Sequence, residues 1–302
     1  MARALAKETV GGDTLGLAAG KDPGTDKVRD FDFSERDFKF IRDLVMERTG
    51  IVLSEIKRDM VYGRLSRRIR ALGLSKFSQY CDILKSEDQH ELKEFTNAIT
   101  TNLTSFFREN HHFEHLKDVI LPKLMAEKSD RKLRIWSAGC STGEEPYSIA
   151  MTIKETIPAS QDWDIKILAT DLDTNVLERG AMGVYDVERV AGIAKHRLKR
   201  WFHKGKGSND GVVRVSSELR EMITFRQLNL MHEWPMSGLF DVIFCRNVVI
   251  YFDKPTQKVL FDRYSDILPN NGFLFLGHSE SMFKVSNRFN LIGKTIYQNK
   301  IE

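Results

Sequence analysis

Five short apolar runs, "LRIWSA", "IKILAT", "TFRQLNL", "FDVIFC" and "GFLFLG", recur between Leu133 and Gly277, separated mostly by helical or mixed segments. Strands spaced this way do not pair through tight turns. They run parallel, joined by crossover helices that cover both faces of one sheet, so the pattern predicts an α/β fold. The closing segment "NLIGKTIYQNK" follows "GFLFLG" without a clear helix, which predicts an antiparallel hairpin at one end.

One interval does not fit. Between the helix expected near Thr174 to Ala181 and the strand near Phe225 lie about forty residues, including "AKHRLKRWFHKG" and "GVVRVSSELREM", too many for an ordinary connection. An inserted subdomain is expected at about residues 184–222. Before the sheet the period is helical. Ser34 is placed to cap "ERDFKFIRDLVMERT", with Phe38, Ile41, Leu44 and Val45 on one face and Gly50 ending it. Further helices are expected at about Glu55 to Leu72, Phe77 to Leu84 and Asp88 to Ile99. The organisation read from this is a flexible leader over residues 1–30, rich in glycine and small or charged residues, a helical domain over 31–105, and the sheet domain over 106–302.

Composition excludes several classes. In 302 residues there is no run of about 18 apolar residues that would span a membrane and no secretory signal, so a cytoplasmic protein without direct membrane insertion is expected. Cys81, Cys140 and Cys245 are odd in number and far apart, which suggests reduced thiols rather than disulfides or a CxxC metal site. A net charge of +4 suits an acidic partner without calling for nucleic acid.

Ligands of open parallel sheets bind beyond the carboxyl ends of the strands. "SAGCSTGEEP" stands at the first such end. It has neither the Lys of a phosphate loop nor GxGxxG spacing, and no Arg follows Cys140 as a phosphatase loop requires. Glu144 and Glu145 would repel a pyrophosphate but suit a cation or sugar hydroxyls; equally, they favour a helix N-terminus in a plain strand-to-helix turn. The second end, "ATDLDTNVLERG", places Asp171 where this architecture binds ribose hydroxyls, with Asp173 or Thr174 free to cap the next helix. Asn229 ends the third strand, where its side chain is able to read a base edge, and "CRNVVIYF" follows the fourth. Four successive strand ends carry polar groups that need partners.

In order along residues 31–300, "TTNLTSFFRENHHF", "SAGCSTGEEPYSIA", "ATDLDTNVLERG", "FCRNVVIYFD" and "LGHSES" resemble the chemotaxis receptor methyltransferases, the CheR family. That family methylates glutamates on the cytoplasmic helices of chemoreceptors with S-adenosylmethionine. The resemblance implies a Rossmann-like methyltransferase sheet, an N-terminal all-helical domain and a small inserted β-subdomain. It further implies that Asn102, Thr104 and Arg108 reach the cofactor from the segment joining the domains, and that Glu145 and Asp171 hold it from the first two strands. Asn229 with Leu230, and Arg246 with Asn247, would complete its pocket. Arg108 and Tyr251 would stand beside the reacting groups, and S-adenosylhomocysteine would be the product.

The residues fit that chemistry. A glutamate carboxylate has a pKa of about 4.3 and is already a nucleophilic anion at neutral pH, so no general base is needed. The helix "IKRDMVYGRLSRRIRALGL" carries Lys57, Arg58, Arg64, Arg67, Arg68 and Arg70 against Asp59. Such a run is ordinarily a solvated face; given an acidic receptor substrate, it is expected to present a positive surface. His111 and His115 stand four apart in "HHFEH", but no HExxH pattern or third ligand accompanies them, so no metal is expected. The family's inserted subdomain binds, in some members, a receptor C-terminal peptide as an added strand. Two rivals stand beside this reading: a methyltransferase for nucleic acid or another amine, disfavoured because "CRNVVIY" is not Asn/Asp-Pro-Pro-Tyr, and a cofactor-binding sensor or scaffold without turnover.

Overall fold

The computed structural model describes residues 30–300; the leader expected before them lies outside the described residues, except for its last position. Helix α1 (Glu35–Thr49) begins at Ser34, whose side chain accepts from the Asp37 N–H while Asp37 reciprocates, and ends at Gly50 with φ 72°. Helices α2 (Arg58–Ala71), α3 (Phe77–Lys85) and α4 (Gln89–Ile99) follow. The four pack around Phe38, Ile41, Val45, Leu65, Phe77 and Phe95, all buried. Leu44, expected on the same face, is only partly buried and borders this core.

The chain then passes through α5 (His111–His115), a π-helical turn over Leu116–Ile120 and α6 (Leu121–Glu127) into strand β1 (Lys132–Ala138). Next come α7 (Glu144–Thr156), β2 (Asp164–Asp171) and α8 (Thr174–Met182). Between α8 and the next strand of the main sheet lie β3 (Val184–Asp186), α9 (Val187–Val190), α10 (Lys195–Trp201), β4 (Phe202–Lys204), β5 (Val212–Val215) and α11 (Ser217–Arg220). Their strands form a separate antiparallel sheet in the order β3-β5-β4.

The main sheet resumes with β6 (Ile223–Gln227), β7 (Val242–Cys245), α12 (Lys254–Asp266), β8 (Phe273–Leu276), β9 (Phe289–Gly293) and β10 (Ile296–Asn299). Its order is β6-β2-β1-β7-β8-β10-β9, parallel through β8. The closing segment, expected to pair back antiparallel, holds two strands, most of β9 and all of β10; β10 lies antiparallel between β8 and β9. The continuous apolar runs follow from burial on both faces. Leu133, Ile135, Phe244 and Phe275 point into the core that holds α7, whereas Trp136, Ala138, Ile243 and Leu274 point into the core beneath α12. Among the described residues no helix is long and apolar enough to cross a membrane.

Candidate active site

The strand order reverses between β1 and β7, and the cleft opens beyond their carboxyl ends, roofed by the N-terminal helices and the 100–108 segment. The backbone at β1 is shaped for close approach. Gly139 has φ 85°, and a Cβ there would meet Val248 Cγ2 at 2.4 Å. Its N–H and that of Cys140 donate to the Thr170 carbonyl at 2.8 and 2.9 Å. Ser141, at φ 49°, donates its N–H to Asp171 Oδ2 at 2.8 Å and its hydroxyl to the Asn102 carbonyl at 2.9 Å. The loop after the first strand, the end of the second and the interdomain segment are thereby locked together.

All ten residues expected at the site line this cleft: Asn102, Thr104, Arg108, Glu145, Asp171, Asn229, Leu230, Arg246, Asn247 and Tyr251. Their side chains are not equally free. Glu145, buried at the start of α7, accepts from Ser137 Oγ at 2.7 Å and from Arg246 Nη1 at 2.9 Å. Burial raises its pKa, and Arg246 and Ser137 oppose that rise. Its neighbour Glu144 turns away, accepting from Thr142 Oγ1 at 2.6 Å and facing Arg189 at 3.4 Å. Burial pushes Asp171 up to about 6 against the pull of the Asp173 and Ser141 N–H groups.

Asp173 caps α8 by accepting from the Asn175 N–H, and also accepts from Thr100 Oγ1 at 2.8 Å and Asn102 Nδ2 at 2.7 Å. The Asn102 side chain therefore braces the interdomain segment. Asn229 lines the cleft, but its amide nitrogen donates to the Arg48 carbonyl at 2.7 Å and faces His232 Nε2 at 3.3 Å, so its donors hold the wall against α1. Arg108 folds back to donate to the Leu103 carbonyl at 2.9 Å, while its own carbonyl accepts from Arg246 Nη2. Tyr251 has Lys57 Nζ 5.3 Å from its ring centroid, and its carbonyl accepts from the Val52 N–H, tying the cleft rim to the helical domain.

Two acids that sequence reasoning did not single out organise the rim. Glu109 accepts from the His278 N–H at 3.1 Å and faces Arg246 at 3.4 Å. Burial alone would raise its pKa, but His278 and Arg246 outweigh this and hold it at about 2. Glu280, 4% exposed, accepts from the N–H groups of Gly277, Asn247 and Ile250 at 2.6, 2.8 and 3.2 Å. The sequence signals were adjacency to Arg108 and an acid just past strand β8.

The histidines form a different group from the expected i, i+4 pair: ligand atoms of Glu109, His111 and His112 lie within 4.8 Å of one another. Glu109 is already engaged by Arg246 and His278, and His112 Nε2 faces the Lys294 carbonyl at 3.0 Å and Thr295 Oγ1 at 3.2 Å. Burial and Arg246 depress His112 to about 3, so it is neutral at pH 7. Burial also drives the Cys140 thiol well above its ordinary pKa, away from thiolate chemistry.

The basic helix is largely committed internally. Arg58 donates to Glu35 and the Phe33 carbonyl, Arg64 to the Ile99 and Thr100 carbonyls, and Arg70 to Asp30. Arg68 engages Glu91 at 2.5 Å and Glu94 at 3.2 Å. Exposed Arg67 has no acidic partner among the described residues.

A sheet with its strand-order reversal beneath a cleft lined by carboxylates, apolar walls and the arginines Arg108 and Arg246 is the arrangement in which open α/β proteins bind nucleotide-type ligands. Residues 102–298 match the CheR methyltransferase, SAM binding domain, and residues 36–100 the CheR methyltransferase, all-alpha domain; the chain belongs to this family. It is 46% identical over 268 residues to the chemotaxis protein methyltransferase of Escherichia coli strain K12, spanning 87% of this chain and 91% of that protein. It is 46% identical over 270 residues to chemotaxis protein methyltransferase 2 of Pseudomonas aeruginosa, covering 89% and 95%. A probable chemotaxis protein methyltransferase of Rhizobium etli is 44% identical over 258 residues, covering 84% and 96%. The cofactor is S-adenosylmethionine. The cleft suits it: Glu145 and Asp171 offer acceptors for hydroxyl and ammonium groups, Leu228 and Leu230 offer apolar wall, and Arg108 offers a cation for a carboxylate.

Proposed function

We propose that this protein is a protein-glutamate O-methyltransferase that esterifies glutamate side chains on chemoreceptor cytoplasmic helices, setting receptor adaptation. The observation that carries the reading is the convergence of Arg108, Tyr251, Glu145 and Asp171 on one cleft between the helical domain and the sheet. The bound cofactor supplies a methyl carbon made electrophilic by its sulfonium. In this reading Asp171 accepts from the ribose hydroxyls, Glu145 with Arg246 and Asn247 frames the methionine end, and Asn102, Thr104, Asn229 and Leu230 enclose the remainder. Arg108 and Tyr251 align the acceptor carboxylate or the cofactor's own carboxylate. Because the acceptor is already ionised, the protein's task is alignment and exclusion of water. No metal is assigned to this chemistry.

The domain assignment that goes with this reading is a leader to residue 30, a helical domain over 31–105 and a methyltransferase domain over 106–302 with its insert at about 184–222. The acidic receptor helix meets the basic helix over residues 55–72, chiefly through Lys57 and Arg67, whose charges are not neutralised by an acid among the described residues. The small sheet leaves β3 and β4 as edges, where an extended receptor C-terminal peptide would add as a strand. The enzyme would act in the cytoplasm.

The test is transfer of labelled methyl from S-adenosylmethionine to receptor-enriched membranes, followed by mild alkali. Volatile methanol establishes the ester. Alkali-stable label would move the acceptor to nitrogen, and cofactor binding without transfer would favour the sensor reading.

A further inference from the structure

The rim segment from Arg246 to Phe252 carries three of the residues assigned to the cleft, yet it is neither strand nor α-helix. Asn247 sits at φ 60°, in the left-handed region that asparagine enters more readily than most other non-glycine residues. A short 3-10 turn over Val249–Tyr251 follows. Something must hold this backbone.

Two buried side chains do so from opposite directions. Glu280, 4% exposed, accepts the Asn247 N–H on Oε2 and the Ile250 N–H on Oε1, and its Oε2 also takes the Gly277 N–H. Gln257, 8% exposed on α12, donates through Nε2 to the Val249 carbonyl at 2.8 Å and the Phe252 carbonyl at 3.0 Å. The acid takes the donors of the turn and the amide takes its acceptors. Close approach is secured at Gly277, where a Cβ would lie 2.4 Å from Asn247 Nδ2 and 2.8 Å from its N. Among the described residues Glu280 has no cation bonded to it; backbone N–H groups stabilise its charge, which burial opposes.

We propose that Glu280, with Gln257, is a positioning residue for methyl transfer, clamping the 246–252 turn so that Tyr251 and Asn247 face the cleft. This rests on the site reading given above for Tyr251. A glutamine at position 280 keeps the shape but cannot accept from all three N–H groups with both terminal atoms, and turns an N–H toward a backbone donor.

A double-mutant cycle on the full chain tests it, with receptor methylation read as kcat/KM, cofactor affinity by calorimetry, and folding by circular dichroism. Glu280→Gln is expected to stay folded and lose roughly ten- to hundredfold in kcat/KM, the cost of a displaced aligning group. On the Tyr251→Phe background the same change is expected to cost much less, because the residue it positions is already impaired. Glu280→Asp, which restores the carboxylate, should recover part of the loss. An equal loss from Glu280→Gln on both backgrounds, or no loss on the intact chain, overturns the proposal. Full activity of Tyr251→Phe alone overturns the site reading instead and is seen separately. If Glu280→Gln does not fold, Gln257→Leu takes its place in the same cycle: a loss that shrinks on the Tyr251→Phe background supports the clamp, and an equal loss on both backgrounds overturns it.

Discussion

The Arg246 guanidinium lies between two carboxylates, donating to Glu145 at 2.9 Å and facing Glu109 at 3.4 Å, with Arg246 and Glu145 both buried. It thus joins α7, the segment just before α5 and the end of β7. Arg246→Ala leaves a buried acid without its counter-charge and is expected to cost about 3–5 kcal/mol, read by urea unfolding. Glu145→Gln should cost less, because Glu109 still faces the arginine. Equal stability of Arg246→Ala and the intact chain would show that the bridge contributes nothing.

Cofactor affinity should depend on pH through Asp171, whose pKa stands at about 6. Below that value the group is increasingly neutral and loses its charge as an acceptor; above it the carboxylate is ionised. Affinity is therefore expected to rise between about pH 5 and 7 and then level off. Calorimetry should show about a ten- to hundredfold loss for Asp171→Ala at the upper end of that range, the worth of a charge-assisted hydrogen bond, together with loss of this rise. A slope retained in the variant would assign the titration to another group.

Among the described residues the Arg108 side chain bonds to the Leu103 carbonyl alone, and it is partly exposed. Arg108→Ala should change stability by less than about 1 kcal/mol while lowering kcat/KM about a hundredfold or more. Thermal unfolding beside a methylation assay separates the two. Wild-type turnover in the variant would remove Arg108 from the site.

Neighbouring arginines of α2 should behave oppositely. Arg68 neutralises buried Glu91, which also accepts from Tyr80 at 2.8 Å, so Arg68→Ala is expected to destabilise the helical domain by about 3 kcal/mol. Exposed Arg67 has no such task. Arg67→Glu should leave stability and cofactor affinity unchanged but raise the KM for receptor, most strongly at low salt. A KM unaffected at low ionic strength would exclude it from the receptor surface.

Features that depend on neighbours along the chain were legible before any folding was known. Ser34 and Gly50 bound the first helix because capping is a matter of a few adjacent residues, and the apolar runs specify parallel strands because both of their sides are buried. The strand-end motifs likewise come together at one cleft, since topology directs every such end to one edge of the sheet. Other features required the folded chain. Glu144 and Glu145 are adjacent and chemically alike, but on a helix they point about 100° apart, so packing of α7 decides that Glu145 meets the cleft while Glu144 meets Thr142 and Arg189. The basic run of α2 reads as one surface, yet carbonyls and acids brought from Phe33, Glu91 and Ile99 neutralise or occupy most of it. Asn229 serves Arg48, and Glu280 serves a turn some thirty residues earlier. Each is a hydrogen bond between segments distant in sequence, and such partners are chosen by where the folded chain crosses itself.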